Sequence, residues 1–292
     1  MDLDQHRSAL SAYCYRMLGS PFDAEDAVQE TFLRAWRSRD RYDPSRPLRA
    51  WLFTIATNVC LDALRSATRR RGPLVGAPAT GPDIGAPLPE TAWVLPAPVD
   101  PAMAVEERES VRLAFVAALQ VLPPKQRAVL ILRDVLAWRA EEVAGLLSTS
   151  VAAVNSALQR ARAALPAVPP SSDPDPALLE AYCAAFLNHD VEGLVALLHE
   201  DATMSMPPFT WWLRGRDAIG TAFFHADACV GHTLVPVRGG FGQYDAAGRP
   251  FAVVGIEAAD GLVTATTTWL MPELFAVFGL PMSSPAPTRS GG

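Results

Sequence analysis

Proline fixes where this chain cannot form regular structure. Eight prolines fall between Pro73 and Pro101, interleaved with Gly76, Gly81 and Gly85 and preceded by Gly72. Each proline removes a backbone donor and each glycine loosens the backbone, so neither helical nor strand periodicity survives there. The stretch 73–101 reads as a flexible linker. A shorter run, Pro166, Pro169, Pro170, Pro174 and Pro176, marks a second linker over 167–175. The 292 residues therefore divide into expected domains at 1–72, 102–166 and 176–285. Two or three domains also suit this length at roughly 100–200 residues each.

Charge is partitioned along the same borders. Residues 1–72 carry twelve arginines against nine acids, 73–100 three acids and no base, 101–168 eight bases against six acids, and 169–292 five bases against thirteen acids. The formal net charge of -6 thus hides two mildly basic blocks ahead of one acidic block, and the basic blocks are the ones suited to a polyanion. A hydrophobic fraction of 50% excludes wholesale disorder. No apolar run approaches the ~18 residues of a membrane span, and the N-terminus lacks a basic start followed by an apolar core. The expectation is a cytoplasmic protein with no membrane partner. Cys14, Cys60, Cys183 and Cys229 stand far apart without CxxC or zinc-ligand spacing, so they are expected to be structural thiols, with no metal site and no cofactor.

Within the first block, residues 23–37 place Ala24, Ala27, Val28, Phe32, Ala35 and Trp36 at the spacings of a buried helical stripe, with Asp23 as N-cap. Asp26, Glu30, Leu33 and Arg37 fall on another face beside Gln29. A solvated helix face looks much the same; Leu33 among acids is the feature that hints at a partner surface. A second helical pattern spans 47–71, opened by Pro47, with Leu48, Leu52, Ile55, Ala56 and Val59 apolar. Trp51, Asn58, Asp62, Arg65 and Arg69 trace a separate line up its cylinder, ending in Arg69, Arg70 and Arg71. Cations at a helix C-terminus complement its dipole. An aromatic and an amide upstream of them also suit stacking and phosphate contacts on an unpaired strand.

In the middle block, residues 126–165 parse into three helices with short breaks, and the turn Ser148-Thr149-Ser150 leads into the last of them. There Val151, Val154, Leu158, Ala161 and Leu165 form an apolar stripe that leaves Ala152, Ala153, Asn155, Ser156, Gln159, Arg160 and Arg162 outside. Small and hydrogen-bonding side chains at a helix start, followed by arginines, suit entry into a major groove with flanking phosphate contacts. An ordinary three-helix bundle is the plainer alternative.

The order DAEDAVQETFLRAW, RPLRAWLFTIATNVCLDALRSATRR, a proline-rich linker and LPPKQRAVLILRDVL with its helix-turn-helix resembles the extracytoplasmic-function (ECF) sigma factors of bacterial RNA polymerase. The resemblance covers residues 1–166. It implies that Asp26, Gln29, Glu30, Phe32 and Leu33 dock on the clamp of the polymerase largest subunit. It further implies that Trp51, Asn58, Asp62, Arg65, Arg69 and Arg70 capture and melt the promoter -10 element, and that Ser150, Ala153, Asn155, Ser156, Gln159, Arg160 and Arg162 read the -35 element. The partners so implied are core RNA polymerase, through its largest and second-largest subunits, and promoter DNA. Two residues depart from the family pattern: Ser148 stands where the turn usually has glycine, and Asn155 where lysine is common.

The acidic block suggests helices over 177–189 and 191–199, a strand-like ATMSMPP, a helix GRDAIGTAFF, and strand patterns in HTLVPVRGGFGQY, RPFAVVGIEA and GLVTATTTWLM. Asp245-Ala246-Ala247-Gly248 and Asp260-Gly261 suit hairpin turns, and MPELFAVFGLPM a short helix and tail. Helices followed by a meandering antiparallel sheet form an α+β cone, an arrangement that resembles the SnoaL-like (nuclear-transport-factor-like) fold. The fold class expected for the whole chain is multidomain: two all-α domains and this α+β cone. Met204, Met206, Phe209, Trp211 and Trp212, with His199, are candidates to line a small-molecule cavity; the apolar residues among them equally suit a greasy contact with the helical domains or plain core packing. His199, Asp201, Asp217 and His225 are the available acids and bases, but their spacing specifies no pair in contact, so no catalytic residue is assigned. The reading is promoter-specific initiation with a fused modulating domain. A polymerase-independent helix-turn-helix regulator, or an enzyme in the third domain, are the alternatives.

Overall fold

The computed structural model describes residues 3–45, 47–66, 70, 72–98, 112–166, 172–224 and 229–285. They form two compact units, residues 1–72 with 91–168, and residues 73–90 with 169–292.

Unit 1 is helical. α1 (Arg7–Leu18), which periodicity did not single out, buries Leu10, Tyr13, Cys14, Met17 and Leu18 and ends at Gly19, whose φ of 75° only glycine adopts freely. α2 (Pro21–Arg37) is capped by Ser20, whose hydroxyl accepts from the Asp23 amide at 3.3 Å. Asp23, expected as the cap, lies instead in the first turn, where its charge suits the helix dipole. α3 (Leu48–Ser66) follows. Leu52, Phe53, Ala56 and Cys60 are fully buried, and Thr57 meets the Tyr13 hydroxyl at 2.7 Å. α4 (Leu113–Leu119) and α5 (Pro124–Leu130) run into a single π-helical turn at Ile131–Val135. α6 (Ala140–Leu146) and α7 (Val151–Ala164) complete the helix-turn-helix. All of these helices, from both blocks, bury their apolar faces in one hydrophobic core.

Unit 2 is α+β. α8 (Pro176–Leu187) and α9 (Val191–Ala196) lead into β1 (Leu198–Ser205) and β2 (Trp212–Arg214). α10 (Arg216–Phe224), β3 (Thr233–Val237), β4 (Gly240–Tyr244), β5 (Pro250–Ala259), β6 (Leu262–Trp269) and α11 (Leu274–Val277) follow. The sheet has six strands in the order β2-β1-β6-β5-β4-β3. It is mixed rather than a pure antiparallel meander, because β1 runs parallel to β6, with Met204 opposite Thr266. The segment 232–244, read as one strand pattern, folds back on itself as the β3–β4 hairpin, turning at Gly239 with φ 73°. Asp260 and Gly261, at φ 52° and 76°, make the expected two-residue turn between β5 and β6. On one face of the sheet, Phe241 packs beneath Tyr182 and Phe186 of α8, which closes the cone.

The first linker is divided between the units. Residues 73–90 pack with unit 2 and residues 91–98 with unit 1. Proline removes donors but leaves carbonyls, and unit 2 supplies what those carbonyls need. The Trp212 indole N–H donates to Val75 O at 3.2 Å and the Trp211 indole N–H to Gly81 O at 3.0 Å. In addition, the Ala79 amide donates to Trp212 O at 2.7 Å and the Leu88 amide to Pro208 O at 2.8 Å. Ala79 and Ile84 pack against the core of unit 2. Further along, the Leu95 amide donates to Gly19 O at 2.9 Å and the Tyr15 hydroxyl to Leu95 O at 2.8 Å, both within unit 1. The second linker ends sooner than expected, since Ser172 already pairs with Ala258 of β5.

Candidate functional site

Helical geometry sorts the α2 residues. Ala24, Ala27, Val28, Thr31 and Ala35 face the core, while Asp26, Gln29 and Leu33 face solvent. Phe32 is half-buried under the Arg7 guanidinium, 5.1 Å from its ring centroid. Trp36, expected on the buried stripe, is 62% exposed. At 100° per residue it lies well round the cylinder from Ala24 and Val28, close to Leu33 and Gln29. Leu33 is 50% exposed and Phe22 37%, so α2 carries an apolar ridge of Phe22, Leu33 and Trp36 on its outer face. The Arg39 guanidinium lies 4.6 Å from the Trp36 ring and gives that ridge a cationic end.

On α3, Asn58, Asp62 and Arg65 are exposed in one line with the half-buried Trp51, whose ring sits 5.0 Å from that of Tyr42. Arg34 ties this line to α2. Its guanidinium meets Glu30 at 2.6 Å and Asp62 at 3.4 Å, and Asp62 meets Arg65 at 3.0 Å. The Glu30 hydrogen bond, then Asp62, holds Arg34 above the ordinary arginine range. Arg70 is held elsewhere: it is half-buried, paired with Asp23 at 2.5 Å and donating to Trp93 O at 2.8 Å. It does not join the exposed line in this state. Arg69 and Arg71 lie outside the described residues.

On α7, Ser150 is the N-cap, accepting from the Ala153 amide at 3.2 Å. Ala152, Ala153, Asn155, Gln159 and Arg160 are exposed, and Ser156 holds the Arg160 guanidinium at 2.7 Å along the same face. Arg162 points away from that set. It makes a two-pronged ion pair with Asp134 of the π turn, at 2.8 and 2.7 Å, and the Asp134 hydrogen bond raises its pKa. Ser148 adopts φ 50°, the left-handed conformation for which glycine is the usual residue.

In unit 2 the cavity candidates separate. Met204 and Trp211 belong to the hydrophobic core, with Met206 and Phe209 at its margin, and the two indoles grip residues 73–90. None of these six residues lines the cavity found between α8, α9 and α10. That cavity is bounded by Phe186, Leu194, Phe223 and Cys229 among others and has a volume of about 10 Å³, room for one water. His199 lies on β1 rather than in a helix, and its Nδ1 accepts the Asp201 amide at 3.2 Å, a local turn contact rather than an acid–base pair. Asp217 sits in the first turn of α10, and His225 lies outside the described residues. Sequence reasoning missed a buried polar pair: Gln243 donates to His232 Nδ1 at 2.7 Å and lies 3.5 Å from the Cys229 sulfur. Burial pushes the His232 pKa down, partly offset by Asp245. The signal was the lone polar residue between Phe241 and Tyr244 on a buried strand. The four cysteines are free. Among the described residues no group of three His, Cys, Asp or Glu could hold a metal, and no helix is long and apolar enough to cross a membrane.

An outward ridge on one helix, a line of stacking and hydrogen-bonding groups on the next, and a helix-turn-helix define a DNA-directed initiation factor in the first unit. The comparisons agree. Residues 3–70 match Sigma-70 region 2, residues 112–165 match Sigma-70 region 4, and residues 179–239 match the SnoaL-like domain. The ECF RNA polymerase sigma factor SigG of Mycobacterium tuberculosis is 43% identical over 310 residues, covering 96% of this chain and 83% of that protein. SigJ of the same species is 36% identical over 280 residues, covering 89% and 85%. The crystal structure of Mycobacterium tuberculosis SigJ superposes with a TM-score of 0.63 at 28% identity, covering 97% of this chain and all of that one. The chain belongs to the ECF RNA polymerase sigma factors, with a SnoaL-like domain fused behind region 4. It acts with RNA polymerase at promoters, and its relatives are initiation factors rather than enzymes.

Proposed function

We propose that the outer ridge of α2 is the polymerase-docking surface of this sigma factor, with Asp26, Gln29, Glu30, Phe32 and Leu33 on the clamp of the largest subunit and Trp36 added to them. The observation that carries this is the exposure of Leu33 and Trp36, at 50% and 62%, on the same outer face of the helix as the exposed Phe22. Trp51, Asn58, Asp62 and Arg65 face the -10 element. Ser150, Ala153, Asn155, Ser156, Gln159 and Arg160 face the -35 element, while Arg162 braces α7 through Asp134 instead of contacting phosphate. The second-largest subunit is a further contact of core polymerase. The SnoaL-like domain modulates initiation through its hold on residues 73–90, without catalysis; Met204 and Trp211 packed in its core, and the two indoles bonded to that segment, support this reading over a small-molecule ligand.

Runoff transcription with core polymerase and the full chain is the test. Leu33→Glu with Trp36→Glu abolishes co-purification with core and promoter-dependent transcript, while the thermal melt stays within about 1 kcal/mol of wild type because both positions are exposed. Normal transcript from that variant overturns the docking assignment.

A further inference from the structure

The α7 face that would enter DNA carries little free charge. Of the two arginines on that helix, Arg162 is bound to Asp134 at 2.8 and 2.7 Å, and Arg160 donates through Nη1 to Ser156 Oγ at 2.7 Å. Val154, Leu158 and Ala161 turn into the core. At 100° per residue, the line opposite them runs through Ala152, Ser156 and Ala163. Those side chains are short, so the helix axis can lie close to the bases. The first turn, with which such a helix ordinarily reads base edges, turns outward only the methyl groups of Ala152 and Ala153, which suit thymine methyls and carry no hydrogen-bond code. Hydrogen-bonded discrimination therefore falls to the turns that follow. There Gln159 and Arg160 lie about 50° to either side of the outward line, and Asn155 lies about 90° from it, at the wall of a groove. Gln159 and Asn155 are exposed, and neither side chain makes a hydrogen bond to another described residue.

A primary amide carries an acceptor and a donor side by side. Adenine presents the matching pair in the major groove, N7 and the N6 amino group, whereas guanine presents two acceptors, thymine an acceptor beside a methyl, and cytosine a donor. Only adenine satisfies both halves of the Gln159 amide at once. Each other base leaves one half unpaired as the groove closes over it, and an unpaired polar group taken out of water is the costly case. We propose that Gln159 is the residue through which this factor specifies an adenine in its -35 element. Asn155, shorter by one methylene and placed at the groove wall, meets the sugar-phosphate backbone without charge and carries no base choice. The proposal rests on the -35 reading above and adds the base and the side chain that selects it.

The test uses holoenzyme assembled from core polymerase and the full chain. A library of runoff templates randomised across the promoter region is selected and sequenced with wild type, Gln159→Ala, Gln159→Arg and Asn155→Ala. Both positions are exposed, so the variants are expected to fold as wild type. Wild type is expected to favour adenine about tenfold at one position of the upstream element. Gln159→Ala levels the four bases at that position alone. Gln159→Arg moves the preference there to guanine, whose O6 and N7 accept a guanidinium bidentately, a switch that a mere packing role for Gln159 would not produce. Asn155→Ala keeps the adenine and lowers transcript from all templates alike. An adenine preference that survives Gln159→Ala, or that disappears with Asn155→Ala, overturns the assignment, as does wild-type selection without an adenine position. Those results leave the -35 reading intact while other upstream positions are still selected. Transcript indifferent to every upstream position overturns both.

Discussion

Replacing Trp211 and Trp212 together with phenylalanine tests whether the SnoaL-like domain holds the region 2 to region 4 connection. Each indole gives one hydrogen bond to a connector carbonyl, Gly81 O at 3.0 Å and Val75 O at 3.2 Å. Phenylalanine keeps most of the apolar contact and deletes only the donor. A neutral hydrogen bond contributes about 1 kcal/mol net, so two on separate acceptors give about 2 kcal/mol, or roughly 30-fold in the opening equilibrium of the segment. The reporters are the amides of Ala79 and Leu88, which donate to Trp212 O and Pro208 O and whose own acceptors the substitutions leave in place. Their hydrogen exchange is expected to accelerate about 30-fold, the worked change in opening equilibrium, while the Ile256 amide, bonded to Gly239 O within the sheet, exchanges as in wild type. Unchanged exchange at Ala79 and Leu88 refutes the strap. So does equal acceleration at Ile256, which would mean the whole domain had been loosened.

Two further outcomes follow from single positions. Ser148→Gly relieves a left-handed residue costing about 1–2 kcal/mol but adds chain entropy of roughly 0.5–1 kcal/mol, so a net gain of about 0.5 kcal/mol is expected in the melting of unit 1; a lower melting temperature contradicts it. His232, held below the ordinary histidine range by burial, is neutral in the folded domain, and the unfolded chain binds its proton first as pH falls. Its contribution is therefore present above the unfolded pKa of about 6.5 and is lost as pH falls toward the depressed folded pKa. An NMR titration midpoint below that of a free histidine, and a flatter stability profile over pH 5–7 in His232→Phe, check this.

Much of the helical unit was legible because its signals are local. Apolar spacing located α2, α3 and the helix-turn-helix, and Ser148, where the family pattern has glycine, indeed takes a positive φ of 50°. Two kinds of information were not legible. Capping depends on which residue leaves the helix conformation, so Asp23 and Ser20 look equally good until φ is known. Pairing partners depend on chain segments distant in sequence. Nothing around Met204 announces a parallel partner at Thr266, and nothing around Trp211 announces a carbonyl at Gly81, 130 residues earlier. For the same reason the arginines divided unexpectedly. Composition assigns Arg70 and Arg162 to DNA as readily as Arg65 and Arg160, but only tertiary contacts show that Asp23 and Asp134 already hold the first two.

The connection between regions 2 and 4 also sets how far apart they can sit. Leu95 is bonded to Gly19 and Tyr15 in region 2 and α4 begins at Leu113, so the sequence between Leu95 and Leu113 sets the reach from region 2 to region 4. Fully extended at ~3.4 Å per residue it reaches about 60 Å. Elements at -10 and -35 lie about 25 base pairs, or about 85 Å, apart, which leaves about 55–60 Å between the facing edges of two regions seated on them once their own size is subtracted. Such a separation is therefore compatible with both the hold on residues 73–90 and the anchor at Leu95, though it would draw the remaining chain nearly taut. Of the eight prolines that mark the stretch 73–101, only Pro96, Pro98 and Pro101 lie in that span, so most of the composition that precludes helix and strand belongs to the part held by unit 2 rather than to the part that must reach.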